Sequence, residues 1–200
     1  FSIMNGGYLS KAVKIFPDQI EWVRKVVQHF ADKPNIKLII RMHPREFPNK
    51  RENVASPRVA QYQEIFSQLP ENIVVDYPSL KNSIYDLFEL IDFDLMSQTT
   101  TGCESAALGI SGMACIYGIG NYPMNIINPV PKNEEEYFSL LDQNLAKPQT
   151  HSIDNVRKVF DWYLMLHTQA VISFDTQNFW QRAHNMQFLP RALRKIKKHL

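Results

Sequence analysis

Apolar and polar positions along the chain follow two alternating rhythms. Ile20, Val23, Val26, Val27 and Phe30 recur at helical spacing, with Glu21, Arg24, Lys25 and Gln28 on the other side. This predicts an amphipathic helix of about thirteen residues, opened by Pro17 and Asp18. After a turn at Pro34-Asn35, the run Lys37-Leu38-Ile39-Ile40 has the mostly apolar character of a strand covered on both sheet faces. Tyr62, Ile65, Phe66 and Leu69 mark a second helix, Ile73-Val74-Val75 a second strand, and Ser83 to Leu90 a third helix. Phe93 to Met96 is a third strand, Gly102 to Leu108 a small-residue helix, and Met113 to Tyr117 a fourth strand closed by Gly118 and Gly120. Strands alternating with helices predict an α/β fold, a parallel sheet with helical crossovers.

The flanks behave differently. Residues 1–16, with Asn5-Gly6-Gly7, read as a loop with a short apolar segment. Glu134 to Leu145 predicts a helix whose three leading glutamates suit the positive end of its dipole. Helical spacing continues from Val156 to His167, and a last helix is expected from Asn178 to Phe188. The stretch 42–57, with three prolines and mixed charges, is a long loop directly after a strand, a length associated with function or disorder.

At 44% hydrophobic residues, 200 residues supply one substantial core, or a core plus a small appendage. Two cysteines, Cys103 and Cys115, in apolar or small-residue settings fit a reducing compartment, so a cytoplasmic protein is expected. No apolar run approaches the roughly 20 residues of a membrane span. The chain opens on Phe1, and the sequence reads as a segment of a longer protein.

Charge changes the picture only at the C-terminal end. Arg191, Arg194, Lys195, Lys197 and Lys198 place five positive and no negative charges in the last ten residues. With a formal net charge of +2 overall, the first 190 residues therefore carry −3. That balance argues against a nucleic-acid partner, whereas the tail suits peripheral contact with an anionic membrane or a solvated helix end.

Two constellations carry candidate chemistry. Arg41, His43 and Arg45 surround the start of the long loop, at the strand edge where open α/β sheets collect ligands. Pro44 restricts His43 toward extended geometry, and a histidine with two arginines suits phosphate or carboxylate oxygens. The alternative is a capping histidine with solvated arginines. In the second, Ser97 and Gln98 lead into Thr99, Thr100, Thr101, Gly102 and Glu104. Hydroxyls before a helix either cap its free amides or, with those amides, donate to an anion. Glu104 accepts from a sugar hydroxyl or simply favours the helix start. Tyr117 and Gly118 begin a third loop after a strand, which either lines a cleft or turns the chain. Dinucleotide-fold glycines, a P-loop and a nucleophile elbow are all absent from the sequence. Asp92 and Asp94 lack a third carboxylate at ligand spacing, so no metal is assigned.

The segments Asp18-Gln19-Ile20-Glu21-Trp22-Val23, Leu38 through Glu46, Asn82 through Leu87 and Thr99 through Gly109 together resemble bacterial capsule-polysaccharide biosynthesis proteins, including Kdo transferases. The resemblance spans roughly residues 18–120. It departs at Met42, where a second proline is common, and at Gln98-Thr99-Thr100, which replaces a serine pair. It implies the C-terminal, donor-nucleotide half of a GT-B glycosyltransferase, with a Rossmann-like domain over 1–150 and C-terminal helices with a basic tail over 151–200. It also implies a CMP-activated acidic sugar as donor, no separate cofactor, and a polysaccharide or glycolipid acceptor. His43 would meet the donor phosphate and be the candidate catalytic group. Thr99 and Thr100 would make phosphate or ribose contacts, and Glu104 would hold sugar hydroxyls. Related scaffolds leave open a UDP-sugar epimerase-like domain, a CDP-glycerol-type transferase, or a non-catalytic nucleotide-binding module of an envelope-assembly complex.

Overall fold

A computed structural model describes residues 13–48, 53–97, 99–117, 128–129 and 131–164. Helix α1 (Gln19–Ala31) starts where Asp18 accepts the N–H of Glu21 at 2.8 Å, satisfying one of the free amides of its first turn. Its buried face is Ile20, Trp22, Val23, Val26, Val27 and Phe30, the stripe expected from the sequence plus Trp22. At its other end Asn72 Nδ2 lies 2.8, 3.0 and 3.1 Å from the carbonyls of Phe30, Lys33 and Ile36, tying the last turn of the helix to the segment that follows it.

Two strand–helix–strand units follow. Strand β2 (Leu38–Arg41) runs parallel to β3 (Ile73–Asp76), with α2 (Val59–Phe66) between them in sequence. Strand β4 (Phe93–Met96) runs parallel to β5 (Ser111–Ala114), with α4 (Thr101–Ala107) between them. Helix α3 (Ile84–Phe88) joins the two units and is shorter than the apolar spacing from Ser83 to Leu90 suggests. Its N-cap is Ser83, whose side chain accepts the N–H of Tyr85. This is an α/β fold of alternating parallel strands and helices, consistent with a generic Rossmann-like arrangement.

The fourth expected strand divides in two. β5 ends at Ala114; Cys115 N–H still donates to Met96 O at 2.9 Å, and then β6 (Ile116–Tyr117) pairs antiparallel with β1 (Val13–Lys14). Strand β1 falls inside a stretch that reads as loop, since two residues are too few to show a period. Gly112 makes the β4–β5 contact close: a Cβ there would collide with Met96 Cε and lie 2.5 Å from Asp94 O.

Helix α5 (Glu134–Ala146) closes the same core. Asn133 caps it by accepting the N–H of Glu136 at 2.9 Å, and Glu136 accepts the N–H of Lys132 at 2.8 Å. Its buried Tyr137 accepts a 2.9 Å hydrogen bond from Trp22 Nε1 and meets Phe16 edge-on, with centroids 5.0 Å apart. The phenol oxygen thereby gives the buried indole N–H its acceptor. Helix α6 (Ile153–Leu164) follows. The chain divides into two units, Phe1–Val159 and Phe160–Leu200. The helix expected at 178–188 and the basic tail lie outside the described residues. Among the described residues no helix is long and apolar enough to cross a membrane.

Candidate functional site

A cavity of about 900 Å³ is lined along the whole of β2 and of β4, and by residues that follow each strand. Trp22, Val23, Val26 and Phe30 from α1, Leu87 and Phe88 from α3, and Leu141 and Leu145 from α5 make much of its wall apolar. His43 and Pro44 contribute after β2; Ser97, Thr99, Thr100 and Thr101 contribute after β4. The two constellations found separately in the sequence therefore border one cavity.

Backbone geometry adds polar character. Leu38 and Met42 direct their N–H groups to Asn72 O and Asp76 O on the β3 side, at 2.9 and 3.1 Å. Because amides alternate in direction along a strand, those of Ile39 and Arg41 point away from β3. Among the described residues β2 pairs only with β3, and β4 only with β5.

Each candidate side chain has its own place. Arg41 lines the cavity, but its guanidinium pairs with buried Asp76 and donates to Asn82 O at 3.0 Å. Asn82 Nδ2 in turn donates to Asp76 Oδ1 at 2.7 Å. The arginine thus ties the end of β2 to the end of β3 and to the entry of α3. His43 is half-buried, and its carbonyl accepts the N–H of Glu46 at 3.0 Å in the short turn Pro44–Glu46. Arg45 sits in the middle of that turn.

At the second constellation Thr100 occupies the N-cap position but has helical dihedrals and no side-chain capping bond. Thr99 supplies that contact instead, its Oγ1 accepting the N–H of Thr101 at 3.3 Å. The hydroxyl run therefore does cap, through a different threonine from the one adjoining the helix. Gly102 is buried inside α4. Glu104 accepts from Tyr85 Oη at 3.1 Å, and that hydrogen bond, with the carboxylate's charge, raises the pKa of the exposed Tyr85 phenol. Neither Gly102 nor Glu104 borders the cavity. Tyr117 ends β6 by its backbone, and Gly118 lies outside the described residues.

The sequence reading gave no place at the site to several polar groups around it. Asp94 lines the cavity and accepts from Ser105 Oγ at 2.8 Å; burial pushes its carboxyl up and the serine bond opposes that. A carboxylate alternating with apolar residues in a strand was the available signal. Glu46 is 1% exposed, although its neighbours in sequence read as a polar loop. Cys103 is buried, with its thiol pushed up to about 11 by burial and then by the charge of Glu104, which makes it a poor nucleophile. Among the described residues no group of three or more His, Cys, Asp or Glu side chains is arranged to hold a metal ion.

Comparison with protein-family models, with curated proteins and with solved structures returns no match.

Proposed function

We propose that the chain is the donor-nucleotide-binding part of a glycosyltransferase that moves an acidic sugar, Kdo or a similar one, from a CMP-sugar to a surface-polysaccharide or glycolipid acceptor. The observation that carries this reading is the presence of His43 and of Thr99, Thr100 and Thr101 around one cavity, each group following a strand of a parallel pair. An imidazole and hydroxyls offer donors to phosphate and ribose oxygens, while the apolar wall suits a base. His43 stabilises charge on the departing phosphate. Arg41 acts through the strand ends that it ties together, because its guanidinium is already engaged by Asp76 and Asn82. The segment resemblance supplies the sugar class and the idea of a second, acceptor-binding domain. In the cell the reading places the protein in the cytoplasm, with the basic tail in peripheral contact with the inner membrane.

Calorimetric titration of the chain with CMP, UDP and CDP tests the proposal. Selective binding of CMP, weakened by His43→Ala and by Thr100→Ala, is the expected result. Failure of all three nucleotides to bind rejects it.

A further inference from the structure

Glu46 lies in the turn just after His43, yet it is 1% exposed, and neither carboxyl oxygen has a hydrogen-bond partner among the described residues. Its ionic partner is Arg58, whose Nη2 stands 3.8 Å from Oε1, too far for a hydrogen bond; the arginine side chain is one-third exposed. An apolar side chain of similar volume would fill such a position without the desolvation that a carboxyl suffers there. Packing alone therefore does not explain the residue.

The surrounding backbone indicates what the residue does. Glu46 N–H closes the turn onto His43 O at 3.0 Å, and Glu46 O accepts the N–H of Ser56 at 2.9 Å. Ser56 Oγ accepts the N–H of Arg58 at 3.2 Å, and Arg58 O accepts the N–H of Tyr62 at 3.1 Å in the first turn of α2. Tyr62 is itself 1% exposed, and its phenol is pushed up by burial first and by the charge of Glu46 second. Glu46 thus connects the residues that leave β2 with those that enter α2, by backbone bonds on one side and by its buried carboxyl on the other.

We propose that Glu46 is a positioning residue for His43, its buried carboxyl and Arg58 together fixing the turn that presents the imidazole at the cavity. As far as nucleotide binding is concerned, this rests on the function proposed above; the placement of the imidazole does not. The pair interacts at a distance without hydrogen-bond contact, the buried carboxyl facing an arginine whose exposed part is screened by solvent. Removing either charge lets the turn relax, and His43 then takes up a different environment.

The test uses the full chain, with the His43 ring signals followed by NMR in the absence of nucleotide and assigned by their loss in His43→Gln. Glu46→Gln and Arg58→Met are each expected to move the His43 ring signals, while those of His29 stay in place. Arg58→Lys, which keeps the charge, is expected to restore the wild-type spectrum. CMP affinity should weaken about tenfold in the first two variants and stay within about twofold in the third. If Glu46→Gln does not fold, Arg58→Met reaches the same pair from its exposed side. Unchanged His43 signals in the folded variants overturn the proposal. If CMP affinity is also unaffected by His43→Ala, the nucleotide reading falls, and the ring signals still decide the role of Glu46.

Discussion

Arg41 and Asp76 are register partners at the C-terminal ends of β2 and β3, and their side chains form an ion pair over the same step of the sheet. Asp76 is 5% exposed, and its other oxygen accepts from Asn82. The pair therefore sets the alignment of two strand ends and of the chain entering α3. Asp76→Ala leaves the guanidinium and Asn82 without their acceptor. A loss of about 2 kcal/mol is expected by urea denaturation, below the value for a fully buried pair because solvent screens the part-exposed arginine. Asp76→Asn, which keeps an acceptor, should lose less.

Gly112 provides a test of the β4–β5 contact. Its missing Cβ leaves room for Met96 Cε and for the carbonyl of Asp94, the second of which cannot rotate away. Gly112→Ala is expected to destabilise the protein by about 3 kcal/mol, the upper part of the range for overpacking. Met96→Ala in the same chain should recover only part of that loss, since the clash with the backbone oxygen persists. Chemical denaturation of the single and double variants measures both.

Asn72 tests the end of α1. Its amide group serves three carbonyls, so Asn72→Asp replaces a donor by an acceptor in nearly the same volume. A loss of about 3 kcal/mol is expected, since desolvated acceptors would then face one another. Retention of wild-type stability in a thermal melt would show that these contacts contribute little.

His151 gives the protein a pH dependence in the mildly acidic range. Burial lowers its pKa below the ordinary 6.5, and its Nε2 is buried without a hydrogen-bond partner among the described residues. The unfolded chain then binds a proton more readily than the folded one, so stability falls as pH drops below about 6.5 and levels off below the folded pKa. Melting temperatures between about pH 7.5 and 5 should decline less in His151→Gln than in the parent. Equal slopes would remove His151 as the cause. Asp142 acts in a lower window. Burial opposes its charge, but hydrogen bonds from His29 and Lys33 outweigh that and hold its pKa below 3.8. Its contribution is therefore present above about pH 4 and is lost as pH falls through the folded pKa.

The elements with long, regular spacing were legible in the sequence: α1 from its apolar stripe and Asp18, α5 from its glutamates, and β2, β3 and β4 from short apolar runs. What the sequence left hidden depended on distant partners. β1 is two residues long and forms against β6, more than a hundred positions away. The break at Cys115 reflects a change of pairing partner, which local apolarity does not encode. At the candidate site, the grouping of His43 with Thr99–Thr101 followed from each lying after a strand, as the sequence pattern already indicated. The engagement of Arg41 by Asp76 did not, because it depends on the β2–β3 register. Glu46 escaped for a similar reason: a charged residue in a proline-rich stretch reads as solvated until the packing of α2 is known.

The most direct test of the central claim is the affinity of the chain for CMP, measured by calorimetry, in the parent and in His43→Ala. Loss of one charge-assisted contact to phosphate, worth about 1.5–3 kcal/mol, corresponds to a weakening of roughly 10- to 100-fold. The expected result is CMP binding tighter than UDP binding in the parent and a loss of that size in the variant. Equal CMP affinity in the two proteins, or no CMP binding by the parent, would contradict a nucleotide site at His43 and the threonines.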